Sequence, residues 1–350
     1  VMVRIGIVFW LVLGLISVSG HSFAQTFNFN TRPRGIQLPV QNVLDIKQDT
    51  LGQLWFSTSR GVVFSDGIHT HTLPDSINRK FAYRIAILKD LDGIIWLYNA
   101  TGSPVLVRGN ANSWQEEKLN IPDPDGFSDR NRLFSVRKGR EKLFFLDTKK
   151  ELIFWKNDDQ KQILARDQAE FGELLSVSEF GREIVMNFSH VTVIFQEGEF
   201  KPLEWKNSIL PSPPAQIIQS PDGKDFFFLG KNYLFKGTNY DTPTEPIDVD
   251  FGSYDFNDED FFGLQYVGNS IFYHFNSNLK KYNPIRKQLY QIEVFPLFQS
   301  PILQTFLVDR EGILWLGTSR GLASNNSQLF QNYSSIPVGF LGNEVTAIHE

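Results

Sequence analysis

Residues 43–61 read VLDIKQDTLGQLWFSTSRG, and residues 303–321 read LQTFLVDREGILWLGTSRG. Laid over each other, the two stretches match Asp49 with Asp309, Gly52 with Gly312, and Trp55 with Trp315. They also match Thr58-Ser59-Arg60-Gly61 with Thr318-Ser319-Arg320-Gly321. A third copy sets Asp90, Gly93 and Trp96 at the first three positions. Weaker copies between them keep the spacing and put Phe144, Val185, Phe227 and Phe272 where the tryptophan stands. Seven units of roughly 43 residues fit a β-propeller, whose blades are four-stranded sheets of about that length.

Each unit translates into one blade. In the first, Val43–Gln48 is strand a, and the Asp49–Gly52 turn supplies a capping carboxylate and a residue free to take positive φ. Strand b runs from Gln53 to Thr58, strand c from Val62 to Ser65, and strand d from His69 to Leu73. Alternation along strand b sends Leu54 and Phe56 to one face and Trp55 to the other. The chain is therefore expected to be all-β: a seven-bladed β-propeller of four-stranded antiparallel blades over residues 25–335.

Composition agrees with that expectation. The chain of 350 residues holds 32 Phe, 10 Tyr and 7 Trp, residue types that suit pleated, half-buried surfaces. A net charge of −5, with lysines and arginines scattered rather than striped, speaks against nucleic acid as a partner. The absence of cysteine excludes disulfides, a thiolate nucleophile and cysteine-ligated metal. Nothing in the sequence calls for a cofactor or a metal.

The two ends carry separate signals. Arg4 precedes an apolar run from Ile5 to Val18, and Ser22-Phe23-Ala24 offers small residues at the −3 and −1 positions of a cleavage site. Residues 1–24 thus read as a secretory signal peptide, which makes the mature segment extracytoplasmic and, in a Gram-negative cell, periplasmic. At the other end, Val345 and Ile348 repeat the strand a pattern of Val43 and Ile46, so residues 336–350 read as the start of a further repeat and the chain as the N-terminal piece of a longer protein.

The motif copies at 43–61 and 303–321 resemble the two-component regulator propeller repeat family, whose units carry an Asp-x-x-Gly turn, a Leu-Trp pair and a Gly-Thr-x-x-Gly turn. That resemblance implies an extracytoplasmic sensor region of a hybrid two-component or sensor histidine kinase, anchored in the inner membrane and responding to oligosaccharides. It also implies a second propeller and a β-sandwich following in the same chain, and a possible homodimer. Kinase activity would then lie in that C-terminal region and not in these residues. A secreted propeller lyase or glycosidase and a protein-interaction scaffold are the competing expectations.

Candidate sites follow from the blade layout. Propeller ligands meet the face that carries the d-to-a and b-to-c connections, because those loops vary freely on a rigid scaffold. Arg60 and Arg320 fall in b-to-c turns and Arg84 opens a strand a, which makes them the candidate ligand-binding residues. Trp114, Trp155 and Trp205 lie off the repeat position, where they either pack outer strands or stack on sugars. His69 and His71 stand two apart without a third metal ligand near in sequence. The acidic stretch from Asp241 to Asp260 lacks the EF-hand spacing and reads as a solvated inter-blade loop. Residues 317–321 spell the Gly-x-Ser-x-Gly signature of a hydrolase nucleophile. The twin copy at residues 57–61 shows that the same stretch joins two strands, so Ser319 is expected to be a turn residue and no catalytic residue is assigned.

Overall fold

The computed structural model describes residues 29–325 apart from connecting stretches, of which 118–130 and 250–262 are the longest. The proposed signal peptide, the proposed further repeat at 336–350, and the turn residues Asp90 and Gly93 lie outside the described residues. The architecture is the expected one: seven four-stranded antiparallel sheets, almost wholly strand.

Blade one is β2 (Val43–Gln48), β3 (Leu54–Thr58), β4 (Gly61–Ser65) and β5 (Thr70–Thr72). Blades two to six take β6 to β25 in chain order, each sheet running from inner to outer strand as the chain does. Blade seven departs from that order. Its inner strands are β26 (Leu303–Val308), β27 (Leu314–Thr318) and β28 (Gly321–Asn325), and its outer strand is β1 (Phe29–Asn30), near the other end of the chain. Phe29 pairs with Asn325 and Asn30 with Ser324. The ring is thus closed by a strand from near the other end of the chain, of which Phe29 and Asn30 are described.

The repeated motif has a physical cause visible in both copies. Asp49 Oδ1 accepts the backbone N–H groups of Leu51 and Gln53, each at 2.9 Å, and its Oδ2 accepts the Trp55 indole N–H at 2.9 Å. In the seventh blade Asp309 takes the Ile313 N–H at 2.7 Å and the Trp315 indole at 2.7 Å. One carboxylate therefore folds the a-to-b turn and orients the aromatic that follows it. Burial raises the Asp309 carboxyl above its ordinary range, against the pull of those donors. Gly52 and Gly312 adopt φ of +90° and +80°, a region that side chains enter at a cost of about 1–2 kcal/mol. No atom lies within 4 Å of where a Cβ would sit on Gly312. Gly312→Ala should therefore lose about that amount through backbone strain alone, measurable by urea denaturation with an unchanged m-value.

Packing energy resides between blades. An apolar cluster fills each of the seven junctions. Trp55 is fully buried with Ile87, Ile95 and Leu97 of blade two, whereas Leu54 and Phe56 lie with Trp315 and Leu322 of blade seven. The expected alternation holds. Val185, Phe227, Phe272 and Trp315 likewise face the following blade.

Phe144 corrects the sequence alignment. It packs backward, tilted against Trp96 with ring centroids 4.9 Å apart, while Phe145 faces blade four beside Phe195. Phe145 therefore holds the repeat position. Its neighbour two residues on confirms the register, because Asp147 Oδ2 accepts Leu174 N–H from blade four just as Ser57 Oγ, two beyond Trp55, reaches the Ile85 carbonyl of blade two.

Polar side chains tie the inner strands together where twist carries neighbouring backbones out of pairing range. Asp45 Oδ2 accepts Ile87 N–H, Ser176 Oγ donates to the Ala215 carbonyl, and Gln216 both donates to and accepts from the Leu264 backbone. Gln265 accepts Val308 N–H. Gln48 spans the closure: its Oε1 accepts Arg310 N–H at 2.9 Å and its Nε2 donates to Glu311 Oε2 at 3.0 Å. That amide lowers the Glu311 pKa.

Candidate functional site

A cavity of about 740 Å³ opens at the junction of blades seven and one. One wall is the chain between β1 and β2, the d-to-a connection that follows the closing strand. The other is the b-to-c turn of blade seven, Arg320, Gly321 and Leu322. The connection is fixed locally. Gln37 N–H donates to Thr70 Oγ1 on blade one at 2.8 Å, and Ile36 and Leu38 pack on the junction cluster that contains Leu322. Asn42, at the end of the connection, accepts from Gln304 Nε2 at 3.0 Å.

The turn at Arg320 is built by its threonine. Thr318 Oγ1 donates to the Gly321 carbonyl at 2.9 Å and accepts Arg320 N–H at 3.1 Å, the same pair of contacts that Thr58 makes to Gly61 and Arg60. Ser319 stands in this turn with its Oγ accepting the Ile302 N–H at 3.0 Å and its own N–H on the Ile302 carbonyl. The strand β28 follows, where a nucleophile elbow would have a helix. Ser319 is structural.

Arg320 and Arg32 both line the cavity, both are exposed, and neither forms an ion pair among the described residues. The described lining residues carry no carboxylate. Ile36, Leu38 and Leu322 give the cavity an apolar wall, and Gln41 and Thr31 add neutral hydrogen-bonding groups. A pocket of this size with few convergent polar groups on an apolar wall is the usual form of a small-ligand site.

The three arginines singled out from the sequence are not brought together. Arg320 lines the cavity; Arg60 is exposed in the equivalent turn of blade one; Arg84 is exposed at the blade one to blade two junction, where its Nη2 donates to the Leu44 carbonyl at 3.4 Å. Arg32 escaped notice because it belongs to no repeat unit. Its signal lies in its position, immediately after a strand that only the closed ring defines.

The remaining candidates resolve into structural roles. Trp155 is buried and stacked on Phe144, with planes 13° apart, so it belongs to the core. Trp114 is half-buried against the edge of Trp55, and Trp205 meets Phe228 in a T-shaped contact. His69 and His71 both approach Asp66, at 4.0 and 3.8 Å, on the exposed turn of blade one. Backbone donors from His69 and Ile68 hold the Asp66 carboxyl below its ordinary range. The acidic stretch is not one loop. Thr242–Ile247 forms β21, the outer strand of blade five, and Asp241 pairs with Lys206 at 3.0 Å; residues 250–262 lie outside the described residues.

These observations define a seven-bladed propeller with a pocket at its closure. No family model and no curated protein matches the sequence. Among solved structures the same fold appears in two proteins of B. thetaiotaomicron described as extracellular domains of hybrid two component systems. BT4673 is 15% identical with a TM-score of 0.61, over 87% of this chain and 40% of that one. BT3049 is 14% identical with a TM-score of 0.61, over 86% and 41%. Virginiamycin B lyase from Staphylococcus aureus is 11% identical with a TM-score of 0.59, over 85% of this chain and 98% of the lyase. At such identities the likeness is one of fold. The chain spans about two fifths of the length of the two signalling domains.

Proposed function

We propose that this chain is the ligand-sensing propeller of an extracytoplasmic receptor region, part of a membrane signal-transduction protein of the two-component type. It acts by binding, with an oligosaccharide as the ligand class. Occupancy shifts the packing of the propeller against the rest of the receptor or against a second copy, a biased equilibrium rather than a chemical step. The observation that most supports this reading is the cavity built on the d-to-a and b-to-c connections, lined by two exposed arginines and by apolar side chains. The likeness in fold to two extracellular signalling domains, each longer than this chain, and the repeat motif at 43–61 and 303–321 point the same way.

Reading the gene beyond Glu350 tests the assignment directly. A membrane span followed by a kinase or DNA-binding module is the expected result; a stop codon within one further blade would sink it. Calorimetric titration of the exported chain with an oligosaccharide panel should give saturable heats without product. Release of new chain ends from the same panel would instead favour a lyase or glycosidase.

A further inference from the structure

We infer that the closure cavity is a receptor for an organic oxyanion, a carboxylate or similar group carried on a body with an apolar face, and that its occupant strengthens the closure of the ring. This names a ligand class for the face assigned above and rests on that assignment.

The charge argument comes first. Arg32 and Arg320 reach one cavity from two separate segments, and among the described lining residues there is no acidic side chain to neutralise them. Across the rest of the described surface, lysines and arginines are repeatedly met by acids, as in the pairs Lys80–Glu116, Lys206–Asp241 and Lys236–Asp225. In a protein of net charge −5, two exposed arginines lining one cavity give it a local charge opposite to the overall sign. Guanidinium presents paired donors that match a planar carboxylate, which favours such an anion over a neutral hydroxyl array. Ile36, Leu38 and Leu322 supply the apolar wall on which the remainder of the ligand would lie.

The mechanical argument follows from where the two arginines sit. Arg32 stands two residues after β1, and Arg320 immediately precedes β28, the strand that β1 pairs with among the described residues. The antiparallel register ends at Asn30–Ser324, where the chain bends and Arg32 N–H donates to Asn30 Oδ1 at 2.9 Å, and both Arg32 and Leu322 line the cavity beyond it. An anion held by both guanidiniums therefore bridges the two chain segments whose short pairing closes the propeller. Binding and closure must then be thermodynamically linked, because a ligand that needs both arginines has affinity only for the closed state.

The experiment uses the chain as exported, with three probes: tri-galacturonate, its neutral counterpart tri-galactose, and inorganic phosphate. Tri-galacturonate should raise Tm by several degrees at millimolar concentration. Its heat of binding should weaken at high salt, and amide exchange at Phe29 and Asn30 should slow. Phosphate should give a smaller shift through the same residues. Arg32→Gln and Arg320→Gln should each weaken tri-galacturonate binding at least tenfold while leaving the ligand-free Tm unchanged, since both side chains are exposed. Equal binding of the charged and neutral trisaccharides, or affinity indifferent to both substitutions, overturns the anion site but leaves the broader sensory assignment standing. Binding without slowed exchange at Phe29 and Asn30 overturns the link to closure. No response to either anion overturns the proposal outright.

Discussion

Trp55→Ala lowers the unfolding free energy by about 3–5 kcal/mol, a fall in Tm on the order of 10 °C, read by calorimetry. Three losses combine. The indole is fully buried between blades one and two, stacked on Phe64 at 4.6 Å and edge-on to Trp114 at 5.8 Å, so its removal leaves a cavity in a rigid junction. Its N–H is also a donor to Asp49, whose carboxylate is buried and holds the a-to-b turn. Trp55→Phe separates the terms: most of the packing stays, the donor goes, and the loss should shrink to about 1–3 kcal/mol. If the two variants were equally unstable, the carboxylate bond and not the junction packing would carry the site. If Trp55→Phe were neutral, the bond would contribute nothing.

Removing β1, by beginning the chain at Thr31, should cost about 3 kcal/mol from the partial burial of Phe29 and the lost ladder. Tm should fall by roughly 5–10 °C. Phe29 packs against the cluster between blades six and seven, so the loss is felt at a junction and not only at an edge. The truncation also bares the backbone of β28, and an unpaired edge of that kind recruits other strands. Light scattering should show more self-association than the full chain gives. A truncated chain that stayed monomeric with an unchanged Tm would show that the long-range contacts of Gln48, Gln304 and Arg310 close the ring unaided.

The blade architecture was legible because its signals are local. Asp49, Gly52 and Trp55 lie within one turn and one strand, and the same three groups make the same contacts in both strong copies. Legibility failed where chemistry is degenerate or distant. Phe144 and Phe145 are adjacent and alike, and a one-residue slip in a strand reverses every face, so spacing alone chose the wrong one. The closing strand has its partners at the far end of the chain, a pairing that no local pattern announces. Arg32 became visible only with that strand. Of the three arginines picked from two b-to-c turns and the start of a strand a, the fold leads one, Arg320, into the cavity.

The closing strand also imposes an order in time. Synthesis delivers Phe29 and Asn30 among the first residues of the propeller and their partners, Ser324 and Asn325, among the last. Through nearly the whole of translation the first strand has nothing to pair with, and the bridge from Gln48 to Glu311, 263 residues apart, waits equally long. Bringing such distant segments together costs roughly 5 kcal/mol of chain entropy before any contact compensates it. The ring cannot close before both distant segments are present, and the pocket whose two walls they supply comes into being only with that closure.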